Sequence, residues 1–372
     1  MLVPVRLWFL GVMGQEPFDE LDRIWTLHPS PEAGAAADDA PALTIETLGP
    51  ITPLDAQFGV AAPLTVPETL GPAMFGQTGE QPHNTYALID AARVMHLLET
   101  LQDSRLEAQC LFKGRALDEL GTVAPWVVRL EEGDAFARSL FTDTDAGGDR
   151  WADEPAIYLR SPLDIGDVVG QLRRFTRLQA SDGRWHYFRF WEPFHYHVLA
   201  ARRPAFPELE ALWRRVFAGC DVLVPQVATA SMLRLRVPPG EVKRKLGLTD
   251  ALRAELKLAV LYRNMMGAAA DLYELHPEPM ARYGSAPPEA WPWFFDFADE
   301  VRRVGLTDPE LRGRVMLLAF LTFPRPFPAF LELPFWQRIR QSPGQANDLV
   351  EDFCARLKYL SQQGRTEFEV WW

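Results

Sequence analysis

Cysteine is scarce. Cys110, Cys220 and Cys354 are the only three in 372 residues, widely spaced and without a CxxC pair. An odd number at such spacing fits neither a disulfide framework nor a thiolate zinc site, and it points to a reducing compartment, the cytoplasm by default. Long apolar runs are also lacking. The stretch from Leu7 to Met13 is soon followed by Glu16, Asp19 and Glu20. It has neither the length to span a bilayer nor a signal-peptide cleavage pattern, and it reads as a buried strand. Positive charge is in deficit, with 38 Lys and Arg against 50 Asp and Glu and a net charge of −12. A polyanion is repelled by such a field, which sets nucleic acid and anionic membrane aside as main partners.

The short signatures of catalysis are missing too. There is no GxSxG, GxGxxG, GxxxxGK[ST] or HExxH, and Gly147-Gly148 is followed by Asp149, which would face a phosphate with the wrong charge. Ser161 and Ser231 lack the surroundings of a nucleophile, and Cys110 lies in an apolar strand pattern, where a buried and inert thiol is expected. No cofactor is implied. What is present is ordinary globular composition, 48% hydrophobic and 24% charged. The chain is long enough for about two domains and for a core that needs no disulfide or metal staples.

Three parts follow from texture. Residues 1–82 are read as a lead-in with short strands, because between Pro29 and Pro82 the chain is crowded with Pro, Gly, Ala and small acidic residues that do not sustain long helices. Residues 83–240 alternate strand and helix patterns. The strands are Tyr86–Ile89, Ala108–Phe112, Trp126–Leu130 and Ala156–Leu159, with a helix from Ala91 to Leu101 capped by Asp90 and a short one near Phe136. A further helix is expected with Ser161 as N-cap and Pro162 in its first turn, burying Ile165, Val168, Val169, Leu172 and Phe175. A strand from Arg184 to Trp191, a helix opened by Pro193 and a hairpin of 221–224 with 232–237 complete this part. Pro238-Pro239-Gly240 marks the boundary to a helical part, 241–372, with helices from Thr249 or Asp250 through Leu272 and near 291–304, 309–321 and 348–360. The fold class is α/β, a mostly parallel or mixed sheet with helices, followed by an all-helical C-terminal domain.

Candidate functional residues fall in three groups. His186, His195 and His197 invite a metal reading with Glu192. However, ligands at i and i+2 share a face only on a strand, and Pro193 favours a helix, so structural histidines are preferred. Arg189 would share a strand face with Trp185, Tyr187 and Trp191. Its expected role is an ion pair with an acid such as Glu192 or a stack on an aromatic face, with anchoring of a partner's carboxylate as the alternative. Aromatic clusters crowd the second half around Trp291, Trp293, Phe294, Phe320–Phe330, Phe335-Trp336 and Trp371-Trp372. Aromatic residues concentrate at interface hot spots, so Arg189, Trp291, Trp293, Phe294, Trp371 and Trp372 form the candidate partner-binding set.

The motifs Tyr86-Ala87-Leu88-Ile89-Asp90-Ala91-Ala92, Leu111-Phe112-Lys113-Gly114, Ala124–Leu130, Ala156–Ser161 and Asp182-Gly183 through Phe188-Arg189-Phe190-Trp191-Glu192-Pro193 occur in this order. In order and spacing they resemble the bacterial type VI secretion effector chaperone, or adaptor, family over roughly Thr85 to Ala201, with the FRFWEP element the most specific. The chain departs from the commoner pattern in its long lead-in and in Glu192, where Asp is more usual. The resemblance implies a non-enzymatic cytoplasmic protein that binds a cognate effector and loads it onto the spike-tip protein, with the helical half contributing partner choice. A metal-dependent hydrolase using His186, His195 and His197, and a spike-associated structural component, are the rival expectations.

Overall fold

The structure, a computed structural model, describes residues 42–77, 82–144, 149–240, 247–323 and 325–362. The expected N-terminal strand at 7–13, Gly147-Gly148 and the residues directly after Gly240 lie outside them. Among the described residues nine strands are formed: β1 (Thr44–Leu48), β2 (Asn84–Asp90), β3 (Ala108–Cys110), β4 (Pro125–Leu130), β5 (Ala156–Ser161), β6 (Arg177–Gln179), β7 (Trp185–Tyr187), β8 (Asp221–Gln226) and β9 (Ser231–Arg236). Seven of them make one sheet in the order β1-β9-β8-β5-β2-β4-β3, and β6 with β7 makes a separate two-stranded ribbon.

Among the described residues every strand pairing is antiparallel, and the parallel element is confined to two isolated bridges, Leu54 with Thr142 and Ala180 with Leu248. The sheet expected as mostly parallel or mixed thus takes its direction from neighbours that return on themselves, such as β8 and β9, joined by a short turn. The centre of the sheet is buried on both faces: β2 is buried at all but its first residue, and β5 throughout. Such strands read as continuous apolar runs because no face is left for water.

One face of the sheet carries Ala87, Ile89, Val128, Leu130, Tyr158 and Met232. It is covered by α1 (Gly71–Met74), α2 (Leu97–Ser104), α4 (Ala135–Ser139) and the extended chain before them, with Ile51, Leu54, Val66 and Leu70 in the same core. Residues 42–77 fall in the stretch read as a lead-in, yet they supply the edge strand β1, paired with β9, and part of this core. The short α3 (Arg115–Leu120) lies between β3 and β4 in sequence.

The other face is dressed by α5 (Ile165–Arg173), which packs along β3 and β4 and buries Ile165, Val168, Val169 and Leu172 as the periodicity requires. Its N-cap is Asp164, whose Oδ1 accepts from the Asp167 amide at 2.9 Å, not Ser161, which is the buried last residue of β5. Pro162 explains the displacement. Ser161 precedes a proline and is held extended, so the helix starts three residues later, where a second capping side chain stands. Asp90 does cap, but it caps a single 3₁₀ turn, Ala91–Arg93, and α2 begins only at Leu97 after His96 at φ 56°.

After the ribbon come α6 (Phe194–Arg202) and α7 (Pro207–Val216), then, past β8 and β9, an all-helical half. It comprises α8 (Asp250–Leu275), α9 (Pro277–Met280), α10 (Pro287–Arg303), α11 (Pro309–Leu317), α12 (Phe327–Phe330), α13 (Pro334–Gln341) and α14 (Ala346–Gln362). Thr249 caps α8 through a bond from the Leu252 amide at 3.0 Å. A π-helical turn, Leu318–Thr322, follows α11 and aims Phe320 into the middle of this half. There Phe320 stacks on Phe294 (4.2 Å) and Phe327 (5.2 Å) and meets Tyr283 and Phe297.

The two halves meet along α8, which packs against α6 and α7. Tyr262 stacks on Phe295 at 4.5 Å and touches the edge of Phe206. Glu255 reaches from α8 to the N-terminus of α7 and accepts the amides of Glu208 (3.0 Å) and Leu209 (2.7 Å), donors that the helix itself leaves unpaired. No helix among the described residues is long and apolar enough to cross a membrane.

Candidate partner interface

The FRFWEP element leaves the ribbon and enters α6. The expected strand from Arg184 to Trp191 ends early, at Tyr187, because Phe188 and Phe190 both turn inward. Phe188 stacks on Trp213 of α7 at 5.6 Å, and Phe190 meets Trp191 and Phe217 edge-on. The Tyr196 hydroxyl donates to the Phe190 carbonyl at 2.6 Å and closes the turn. Three buried aromatics leave Arg189 and Glu192 as the outward residues of the motif. Trp191 is buried as well, so Arg189 does not share a surface with it.

Arg189 is bonded to two carboxylates. Its guanidinium lies 2.5 Å from Asp90 Oδ2 and 2.6 Å from Glu192 Oε1. Asp90 closes β2 and is almost wholly buried, its other oxygen accepting the Ala92 amide at 3.2 Å. From α8, Arg263 stacks over Phe194 at 4.9 Å and stands 4.0 Å from Glu192. Burial pushes the Glu192 carboxyl upward, against the pull of Arg189 and Arg263. The cluster therefore ties the end of β2, the start of α6 and the long helix of the second half to one another. This is the ion-pair role expected for Arg189.

The histidines do not converge. His195 and His197 project from α6 two residues apart, on different sides of a helix. His195 lies among the rings of Phe188, Phe194 and Trp213, where burial, with Arg263 and Arg189 adding to it, pushes its pKa down to about 3. His197 Nε2 donates to the Pro225 carbonyl at 2.8 Å. His186 stands apart on β7. Among the described residues no group of three His, Cys, Asp or Glu is placed to hold a metal ion. Burial also raises the thiols of Cys110 and Cys220, the latter to about 11, so neither is a thiolate at neutral pH.

The aromatic set of the second half divides. Phe294 is fully buried in the helical core, stacked on Phe320. Trp291 and Trp293 are half-buried on α10, packed against that core, with Trp293 edge-on to Tyr283 at 6.3 Å. Trp371 and Trp372 lie outside the described residues. Proline-rich neighbours do not prevent burial here. Phe323, Phe327 and Phe330 are all in the core, because short helices between the prolines turn each ring inward.

Among the described residues, an exposed aromatic pair on β7 stands outside the expected set. Trp185 is 60% exposed and Tyr187 64%, on one face of β7. The guanidinium of Arg177 lies 5.9 Å from the centre of the Trp185 ring, and Phe112, just past β3, lies 6.0 Å from Tyr187. The signal was present in the sequence as alternation: Trp185 and Tyr187 at i and i+2, with no apolar residue to pair them across the ribbon, where Gln179 and Arg177 stand opposite.

Residues 85–205 match a family model described as a domain of unknown function, DUF4123. No curated protein and no solved structure matches the chain. The matched segment runs from β2 through α6 and contains the Asp90, Arg189 and Glu192 cluster, the buried aromatics of FRFWEP and the exposed ribbon. The helical half lies beyond it.

Proposed function

We propose that the chain is a type VI secretion effector adaptor. It binds a cognate effector in the bacterial cytoplasm and loads it onto the spike-tip protein, without catalysis of its own. The observation that carries this reading is the DUF4123 domain at residues 85–205, a family associated with type VI secretion effector adaptors. The order of motifs from Tyr86 to Pro193, which lies within that segment, agrees with it. The helical half, outside the matched segment, contributes the choice of cargo. In this reading α8, which packs against α6, joins the matched segment to the part that reads the cargo. A metal-dependent hydrolase built on His186, His195 and His197 has no observation in its favour.

The test is co-purification of the tagged chain with the products of its adjacent genes, singly and together, followed by mass analysis. Stoichiometric capture of a neighbouring effector, joined by the spike-tip protein when both are present, is the expected outcome. Failure to capture any neighbour, with all partners soluble, would overturn the adaptor reading.

A further inference from the structure

We infer that the outer edge of β7 receives an extended acidic segment of the partner protein as a third strand of the β6–β7 ribbon, an inference that rests on the adaptor reading for the partner's identity as cargo.

The backbone argument comes from register. Arg177, Leu178 and Gln179 stand opposite Tyr187, His186 and Trp185. The bonds from the Phe188 amide to the Thr176 carbonyl (2.9 Å) and from the Ala180 amide to the Arg184 carbonyl (2.8 Å) mark the pairs on either side as hydrogen-bonded. In an antiparallel ladder such pairs alternate with open ones, so the amide and carbonyl of Trp185 and of Tyr187 point away from β6. On the β6 side the matching outward carbonyl, that of Gln179, already accepts the Leu248 amide at 2.8 Å. On the β7 side no strand pairs with these groups among the described residues. An unpaired edge of this kind is a template for strand addition.

The side chains specify what is added. Alternate residues of a new strand fall on the face that holds Trp185, Tyr187 and Arg177, and Trp, Tyr and Arg are the residues that dominate interface energetics. Around this face the charge is opposite to that of the whole chain. Arg177, over the Trp185 ring, and Lys113, which follows the Phe112 that meets Tyr187, are exposed, and neither has a carboxylate within 4 Å among the described residues, while Arg184 is matched by Asp182. In a molecule of net charge −12 this is a local cationic patch next to exposed rings. A strand carrying Asp or Glu at alternate positions complements it, and a second copy of the chain does not, since pairing β7 with β7 would bring like charges together.

The test uses the full chain and labelled ten-residue peptides read by fluorescence anisotropy: alternating Thr and Glu, alternating Thr and Lys, and the acidic peptide N-methylated at every residue. The acidic peptide is expected to bind at least tenfold more tightly than the basic one and to weaken tenfold or more on N-methylation. The same loss is expected with the chain variants Trp185→Ala/Tyr187→Ala and Lys113→Glu/Arg177→Glu, whose melting temperatures stay close to wild type because the sites are exposed. Equal binding of the acidic and basic peptides, unchanged affinity in either variant or on N-methylation, or equal binding of a ten-nucleotide oligothymidylate at the same residues would overturn the inference. An effector captured equally by wild type and both variants would also end it while leaving the adaptor reading intact. Selective peptide binding without capture of any neighbouring effector would support the docking edge and remove the adaptor reading.

Discussion

Arg189 bonds Asp90 across 99 positions of sequence, joining the last residue of the central strand β2 to the turn that opens α6. The acid is buried and the arginine half exposed, so the pair is asymmetric. The carboxylate depends on the guanidinium far more than the reverse. Glu192, three residues on, shares the same guanidinium and is itself approached by Arg263.

Arg189→Ala is expected to act on stability before affinity. Losing one partner of a fully buried ion pair costs about 3–5 kcal/mol, and solvent access to Arg189 reduces this to about 1–2 kcal/mol. Urea unfolding should show a lower midpoint with cargo capture retained at low temperature. An unchanged midpoint with capture lost would make Arg189 an interface residue.

His195 gives an acid-side signature. Its pKa is about 3 in the fold and about 6.5 in the open chain, so the unfolded state binds the extra proton between those values. The neutral histidine's contribution is fully present above pH 6.5 and is lost as pH falls toward 3, by up to about 1.4 kcal/mol per pH unit. Compared with His195→Phe, wild type should hold a constant stability difference above pH 6.5 and lose ground below it. A difference that does not change with pH would contradict the buried neutral ring.

Glu255 behaves in the opposite sense. Burial raises it to about 7 despite the two amides it accepts from α7. The folded state therefore holds a proton that the unfolded chain, titrating near 4.5, has released. Its favourable contribution is present below pH 4.5 and lost as pH rises through 7. Glu255→Gln should gain on wild type between pH 5 and pH 8 in urea midpoints, and a parallel offset at both pH values would count against a buried carboxyl at this junction.

Glu300 holds the helical half together. It accepts from the Trp336 indole at 2.8 Å and from Arg340 at 2.5 Å, and it pairs with Arg303 at 2.6 Å. Burial would raise its carboxyl, but these bonds prevail and hold it below the usual range. Glu300→Ala strands a buried indole and a partly buried guanidinium, at a cost of about 3–5 kcal/mol. Thermal unfolding should show a large drop, with Glu300→Gln falling between it and wild type.

Much of the element order was legible. The helix from Thr249, the hairpin of β8 and β9, and the helix after Pro193 follow from caps, alternation and proline placement, which are properties of near neighbours. Ser161 misled because two capping side chains stand three residues apart, and only the extended conformation of a residue before proline chooses between them. Phe294 misled because its neighbours Trp291 and Trp293 are only half-buried, and a helix carrying aromatics on several sides does not declare which one faces the core.

By itself the sequence determined the α/β half followed by helices, the poor fit of a disulfide or P-loop chemistry, and the motif order that points to an adaptor. These depend on composition, on periods of 2 and 3.6 residues, and on local order along the chain. Tertiary structure alone decided that β1 closes the sheet beside β9, that Arg189 belongs to Asp90 as well as Glu192, and that Phe294 is stacked on Phe320 inside the helical core. Each of these is a contact, or the absence of one, between segments far apart in sequence. Burial is set by what the rest of the fold happens to cover, which no local pattern encodes.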